Sequence, residues 1–318
     1  MVVADTAARG AAAAGRKGWE LMARHSVGLN LSAGAASVIV ASVLVLLKLW
    51  ALGQTGSLSV AASLADSAVD LMVSLGAMAA IIYAAKPADE DHAFGHSSAE
   101  DLAALGQSVF VLISAAVITA AATRRLTDTQ ATPLQAETAG ILIMVVSIVL
   151  TLGLVLWQGR VARHTGSKVV AADRLHYLGD LMPNLGAILS LWASSRFGLG
   201  AIDSVVALAA AAVMVLGAVR IGKNAWDALM DRRADPAIIR GVEDIARDWP
   251  GVRGFHDIKT RVAGSRVFIQ IHIELDGDQT LRAAHDIGAG LRRAILETYP
   301  QADVIVHKDV ARNYGGRS

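Results

Sequence analysis

Two pairs of ionisable residues, each four positions apart, stand inside long apolar runs: Asp66 with Asp70, and His176 with Asp180. An ionisable side chain in a bilayer is costly and marks function by default. If both runs are helices, residues i and i+4 project from one face, one turn apart, so each helix offers two ligands side by side. Two such faces make a site of three carboxylates and one imidazole. That donor set suits a tetrahedral borderline cation, above all Zn²⁺, at roughly 2.0–2.2 Å. The pattern points to passage of a divalent metal through a membrane. Asp173, three residues before His176 on the same face, reads as a solvated residue at the cytoplasmic mouth; a place behind the ligands or on a proton path is the alternative.

Two further clusters carry metal-ligand residue types. Asp89, Glu90, Asp91, His92 and His96 crowd one short polar segment. Asp89, His92 and His96 can chelate one cation if the stretch turns helically. Near the end of the chain, His256, His272, His285, His307 and Asp309 are dispersed, with His307 and Asp309 alternating onto one strand face; taken alone, these histidines read as surface residues. Seven of the nine histidines fall into these clusters and the intramembrane pair. His25 and His164 stand apart beside basic residues.

The elements that must position these residues follow from hydropathy. The 318 residues are 54% hydrophobic and only 18% charged, and the mean hydropathy is +0.47. That is too apolar for a soluble protein of this length. About 20 apolar residues span a bilayer as a helix, and six candidate spans lie at 28–52, 58–84, 102–123, 138–158, 169–196 and 201–225. An even number places both termini on one side. Lys86, Arg160, Arg163, Lys168, Arg220, Lys223, Arg232 and Arg233 share that side, which the positive-inside rule makes cytoplasmic. Arg124, Arg125 and Arg196 oppose this bias without reversing it. Residues 1–27 read as a cytoplasmic tail, flexible around Ala11–Ala14, with no cleavable signal peptide expected.

After Asp235-Pro236 the pattern changes to that of a small water-facing domain, and the boundaries read as tail 1–27, membrane domain 28–226 and cytoplasmic domain 227–318. Helix, two strands around Gly264-Ser265, helix and a last strand give the order α-β-β-α-β. In the second strand Val267, Ile269, Ile271, Ile273 and Leu275 form one face, and Phe268, Gln270, His272 and Glu274 the other. His272 therefore points away from the core. The absence of cysteine excludes disulfides and thiolate ligation. The net charge of +1 offers nothing for nucleic acid.

Taken together, D-S-x-x-D (Asp66, Ser67, Asp70), P-A-D-x-x-H-x-F-G-H (Pro87 to His96), H-Y-x-x-D (His176 to Asp180), W-P-G-V (Trp249 to Val252) and Q-I-H (Gln270 to His272) resemble the cation diffusion facilitator family, over residues 20–310. The likeness is closest to its bacterial zinc and iron efflux subgroup. It implies a multi-pass transporter of the bacterial inner membrane, not an enzyme. It also implies a homodimer that exports Zn²⁺ from the cytoplasm against protons, with a metallochaperone-like cytoplasmic domain at the dimer contact. The resemblance carries the transport site to Asp66, Asp70, His176 and Asp180, and the loop site to Asp89, His92 and His96. A binuclear site in the tail maps to His256, His272, His285, His307 and Asp309. Ser98 stands where relatives commonly carry a lysine able to pair with an acid at the position of Asp231, and serine cannot form that ion pair.

Moving two charges outward against an interior-negative potential costs about 4.6 kcal/mol per 100 mV. The sequence has no GxxxxGK[ST] loop with which to draw on a nucleotide, so inward proton flow is the expected source. Alternative cargoes are Fe²⁺, Cd²⁺ and Mn²⁺, which oxygen-rich ligation accepts. A membrane-anchored metal sensor is the rival of another class.

Overall fold

The structure, a computed structural model, describes residues 2–55, 58–127, 138–181 and 202–311. It divides into two compact units, one covering Ser26–Trp226 and the other containing Asp227 onward.

The first unit is helical: α1 (Val2–Thr55), which belongs to it from Ser26 on, α2 (Leu58–Ala84), α3 (Ser98–Thr127), α4 (Thr138–Thr165), α5 (168–181) and α6 (Ile202–Leu229), which belongs to it as far as Trp226. Among the described residues, five helices are long and apolar enough to cross a membrane: Ser26–Gln54, Asp66–Ala84, Ser98–Arg124, Val145–Thr165 and Ala207–Leu229. The expected span 169–196 is described only as far as residue 181. α1 starts at Val2, so the expected flexible segment around Ala11–Ala14 is helix instead. Alanine has the highest helix propensity of any residue, and an alanine run next to a stable helix extends it.

Packing in this unit inverts the soluble pattern. Its buried apolar residues are largely small, among them Ala33, Ala77, Ala104, Ala115, Ala218 and Ala225, while Ile39, Leu46, Met72, Val117 and Leu216 face outward. Lipid solvates the large side chains as well as a core would, so helix contact depends on close approach and hydrogen bonds. Gly217 shows the approach: a Cβ there would fall 2.8 Å from Leu175 Cδ2 on α5. Asp173 supplies the bonds. It is 2% exposed, which overturns its reading as a solvated residue at the mouth. Oδ2 accepts from Ser37 Oγ of α1 at 2.7 Å and from Gln158 Nε2 of α4 at 2.6 Å; Oδ1 accepts from Gln107 Nε2 of α3 at 3.3 Å. Ser74 of α2 joins through Ser37 at 2.8 Å and Tyr177 at 2.7 Å. A carboxylate carried into lipid is held by partners from three other helices, as burial requires.

The second unit follows the expected order: α7 (Pro236–Arg247), β1 (Gly254–Ala263), β2 (Arg266–Leu275), α8 (Leu281–Thr298) and β3 (Ala302–Val310). Asp235 caps α7 by accepting from the Ala237 N–H at 2.7 Å, with Pro236 at the first helical position. The sheet order is β1-β2-β3, with β1 and β2 antiparallel and β2 and β3 parallel. Gly264, at φ +55°, opens the two-residue hairpin turn. Val267, Ile269, Ile271, Ile273 and Leu275 are buried with Leu291 and Ile295 of α8 and Val242 of α7. The apolar face of β2 is the one its alternation predicts. Phe268, on the other face, is also covered, with the Arg261 guanidinium 4.2 Å from its ring centre.

Candidate metal centre

Three groups of ligand-bearing side chains converge among the described residues, and each is built by a different local geometry. The deepest is Asp70, His176 and Asp180, whose ligand atoms lie within 4.8 Å of one another. α2 supplies Asp70 and one face of α5 supplies His176 and Asp180. His176 Nε2 is 3.1 Å from Asp70 Oδ1 and 3.7 Å from Asp180 Oδ2. His176 is 3% exposed, with Phe110 edge-on at 5.5 Å and Tyr177 at 5.3 Å between ring centres. An imidazole nitrogen set against aromatic rings and two carboxylates form the group, which is open on the side of Asp180, whose side chain is 41% exposed. Asp66 is exposed and does not join this group, although it lies one turn from Asp70 on α2.

Lys48 of α1 is a residue that the spacing argument passed over. Its Nζ donates to Ser67 Oγ at 2.7 Å and to the Ser63 carbonyl at 3.1 Å, both on α2. Asp70, Asp66 and Asp180 all act on its charge. A lone lysine in an apolar span was the available signal.

The second group is Asp89, His92 and His96. The segment is a non-helical turn, so the helical chelate expected from the spacing is not what forms. Instead the Gly95 N–H donates to the His92 carbonyl at 2.9 Å, and Gly95 takes φ +84°, a conformation suited to glycine. Asp89 Oδ1 lies 3.2 Å from His92 Nδ1, and Oδ2 lies 3.2 Å from His96 Nε2. His96 Nδ1 sits 3.1 Å from the Pro87 carbonyl, an arrangement that fixes the ring with Nε2 toward Asp89. The His92 backbone N–H, donated to Asp89 at 2.7 Å, holds that carboxyl below its usual range, helped by the His92 side chain and the nearby His96.

The third group crosses the sheet. His256, His272 and His307 occupy facing positions on β1, β2 and β3, with ring centres 5.3 Å and 4.5 Å apart. Asp309 Oδ2 meets His272 Nδ1 at 2.9 Å and His256 Nε2 at 3.3 Å, while Oδ1 meets His307 Nε2 at 3.3 Å. The hydrogen bond with His272, then the neighbouring His307 and His256, lower the Asp309 carboxyl below its ordinary value. A β-bulge makes this row possible. Thr260 faces Ile269, and unbroken pairing from there would set His256 opposite Ile273, a core residue. The irregularity between His256 and Lys259, with Asp257 at φ +49°, shifts His256 by one place to face His272. The ligand atoms that converge are those of His256, His272 and Asp309; His307, although it meets Asp309, stands outside that set, as does His285, exposed on α8. α8 packs Leu291 and Ile295 on the apolar face of the sheet, opposite the histidines.

Ser98 begins α3, Asp231 accepts from Arg261 Nη1 at 3.3 Å, and Lys168 pairs with the buried Asp101 at 2.6 Å, joining α5 to α3.

A helical membrane unit with a ligand-lined interior, followed by a histidine-bearing α/β unit, defines a metal transporter. Comparison with known families agrees: residues 35–230 match the cation efflux transmembrane domain and residues 234–310 the cation efflux protein cytoplasmic domain. The chain belongs to the cation efflux family, whose members are transporters and not enzymes. It is 41% identical over 286 residues to the cation-efflux pump FieF of Cronobacter sakazakii, covering 90% of this chain and 94% of that one. It is 39% identical over 297 residues to FieF of Pectobacterium atrosepticum, covering 92% and 98%. Among solved structures, the MamM CTD in a nickel form aligns at 22% identity and TM-score 0.24, over 24% of this chain and all of that one.

Proposed function

We propose that this cation-efflux protein exports Zn²⁺ from the cytoplasm in exchange for protons, as a homodimer of the bacterial inner membrane with both termini cytoplasmic. The observation that carries the reading is the convergence of Asp70, His176 and Asp180 between two apolar helices. Asp66 completes the set as the fourth ligand by a rotamer change on the same helix face. A metal replaces protons at such a site, because a ligating imidazole must be neutral and a ligating carboxylate ionised. Protonation on the far side then releases the cation, and His176 is the natural exchanger near neutral pH. The cytoplasmic domain, with His256, His272, His307 and Asp309, binds further Zn²⁺ and holds the dimer.

The single nitrogen ligand favours Zn²⁺ over Mn²⁺, and Fe²⁺ and Cd²⁺ are the nearest competitors. A sensor reading lacks support, since a scaffold gains nothing from burying His176 beside Asp70. Purified protein in vesicles with an imposed pH gradient tests the proposal. Zn²⁺ should move against the proton flow and drive a pH change when the gradient is absent. Zn²⁺ flux that ignores the pH gradient would remove the antiport, and flux of Fe²⁺ alone would replace the cargo.

A further inference from the structure

Lys48 is left over by the four-ligand account. It lies in the membrane span Ser26–Gln54, less than two helical turns from its end. A lysine there ordinarily runs its stem toward water. This one is instead turned onto α2, where Ser67 and the Ser63 carbonyl hold its Nζ at 2.7 and 3.1 Å. Ser67 sits between Asp66 and Asp70 in the chain, and the ammonium is thereby fixed at the depth of the metal ligands. The charged groups acting on it are Asp70 and Asp66 from α2 and Asp180 from α5.

We propose that Lys48 is the resident cation of the transport site, a positioning residue that matches the site to a divalent cargo and keeps metal release fast. Three carboxylates against one ammonium leave two negative charges, the number that one divalent cation cancels. When the cation departs, Lys48 remains at the depth of the carboxylates, held there through Ser67, and limits the charge left in low dielectric, where an unbalanced ion is most costly. When the cation is bound, the same ammonium repels it. The site is therefore held weaker than its donor set alone would make it, and a carrier gains turnover from that. Ser63 and Ser67 keep Lys48 from swinging into the ligand shell itself.

The inference rests on the transport reading, and one flux experiment separates the two. Zn²⁺ uptake is measured against Zn²⁺ concentration in vesicles carrying matched amounts of wild-type protein, Lys48→Met, Lys48→Gln or Lys48→Arg. Lys48→Met and Lys48→Gln should lower the half-saturating Zn²⁺ concentration and the maximal flux together, each about tenfold, the signature of a ground state bound too tightly. Lys48→Arg should stay near wild type. Lys48→Gln keeps a donor for Ser63 and Ser67, so the charge is still tested if Lys48→Met misfolds. A neutral variant with unchanged kinetics, or one whose maximal flux falls while half-saturation stays or rises, overturns the proposal and leaves transport standing. Wild-type vesicles that move no Zn²⁺ overturn both.

Discussion

The membrane and cytoplasmic units use the same ligand types and solve opposite problems. In the membrane, the interior is rich in alanine and hydrogen-bonded polar groups, and the ligands converge from α2, with Asp70, and from α5, with His176 and Asp180 at helical spacing. In the cytoplasmic unit, the interior is isoleucine, leucine and valine, and the ligands come singly from three strands onto the water-facing side of a sheet. Burial decides what each site can do. His176 is 3% exposed, and any charge change there must be balanced within the bilayer. The His307 side chain is 60% exposed, so a charge change at the sheet site is screened by water and salt. One geometry suits a cargo that must be taken up and released. The other suits an ion that stays and braces the fold.

Removing a membrane ligand should produce the largest effect. Loss of an outer-shell partner alone costs roughly 10–100-fold at metal sites, so His176→Ala or Asp180→Ala should abolish Zn²⁺ flux while the cytoplasmic unit melts as before. Normal flux at matched protein density would remove the membrane site from the account. Asp70→Ala should match them, and Asp66→Ala should retain more flux, because Asp66 stands outside the converged group. Equal losses at both aspartates would mean that Asp66 closes fully onto the metal.

Changing the donor instead of deleting it should have a smaller effect. His176→Asp replaces the nitrogen with oxygen and should move preference from Zn²⁺ toward harder cations such as Mn²⁺. Parallel flux assays that show an unaltered preference would assign selectivity to another residue.

The two units also differ in how far sequence could be read into geometry. Period 3.6 placed His176 and Asp180 on one face of α5, and period 2 placed Ile269, Ile271 and Ile273 together in the core, because both rules act within one element. Contacts between elements were less legible. The spacing of Asp66 and Asp70 gives a shared face but not a shared focus, and the loop ligands meet through a glycine turn where a helix was expected. His256 reaches the histidine row through a bulge that strand alternation cannot announce. His285 is held away by the helix face that α8 must give the core. Asp173 looked water-facing because hydropathy counts charges and cannot see Ser37, Gln107 and Gln158 arriving from three other helices.

The sheet site should show itself as stability. A ligand that binds only the folded state stabilises it by about 2.7 kcal/mol at one hundred times its dissociation constant. The fragment 235–318 should therefore melt higher with Zn²⁺ than with chelator, and His272→Ala combined with His307→Ala should erase the difference. A fragment that melts at one temperature with or without Zn²⁺ would reduce the histidine row to surface residues. Acid should also remove the gain, since protonated histidines do not ligate.

The smallest expected effect belongs to Asp309 without metal. Its carboxyl is held below the ordinary value of 3.8, chiefly by the His272 hydrogen bond. The folded fragment thus releases this proton more readily than the unfolded chain, and stability rises with pH across that interval. The contribution is complete above 3.8 and is lost as pH falls through the lower folded value. In chelator, Asp309→Asn should be slightly less stable than wild type at about pH 5, with the gap closing as acid is added. The effect is small because the carboxylate is partly exposed and screened by water and salt. Urea melts of the two proteins across acidic pH measure the gap directly. A gap that stays constant down to about pH 2 would show that Asp309 acts through packing. The sheet site would then be set by its histidines alone, which would widen its contrast with the carboxylate-rich membrane site.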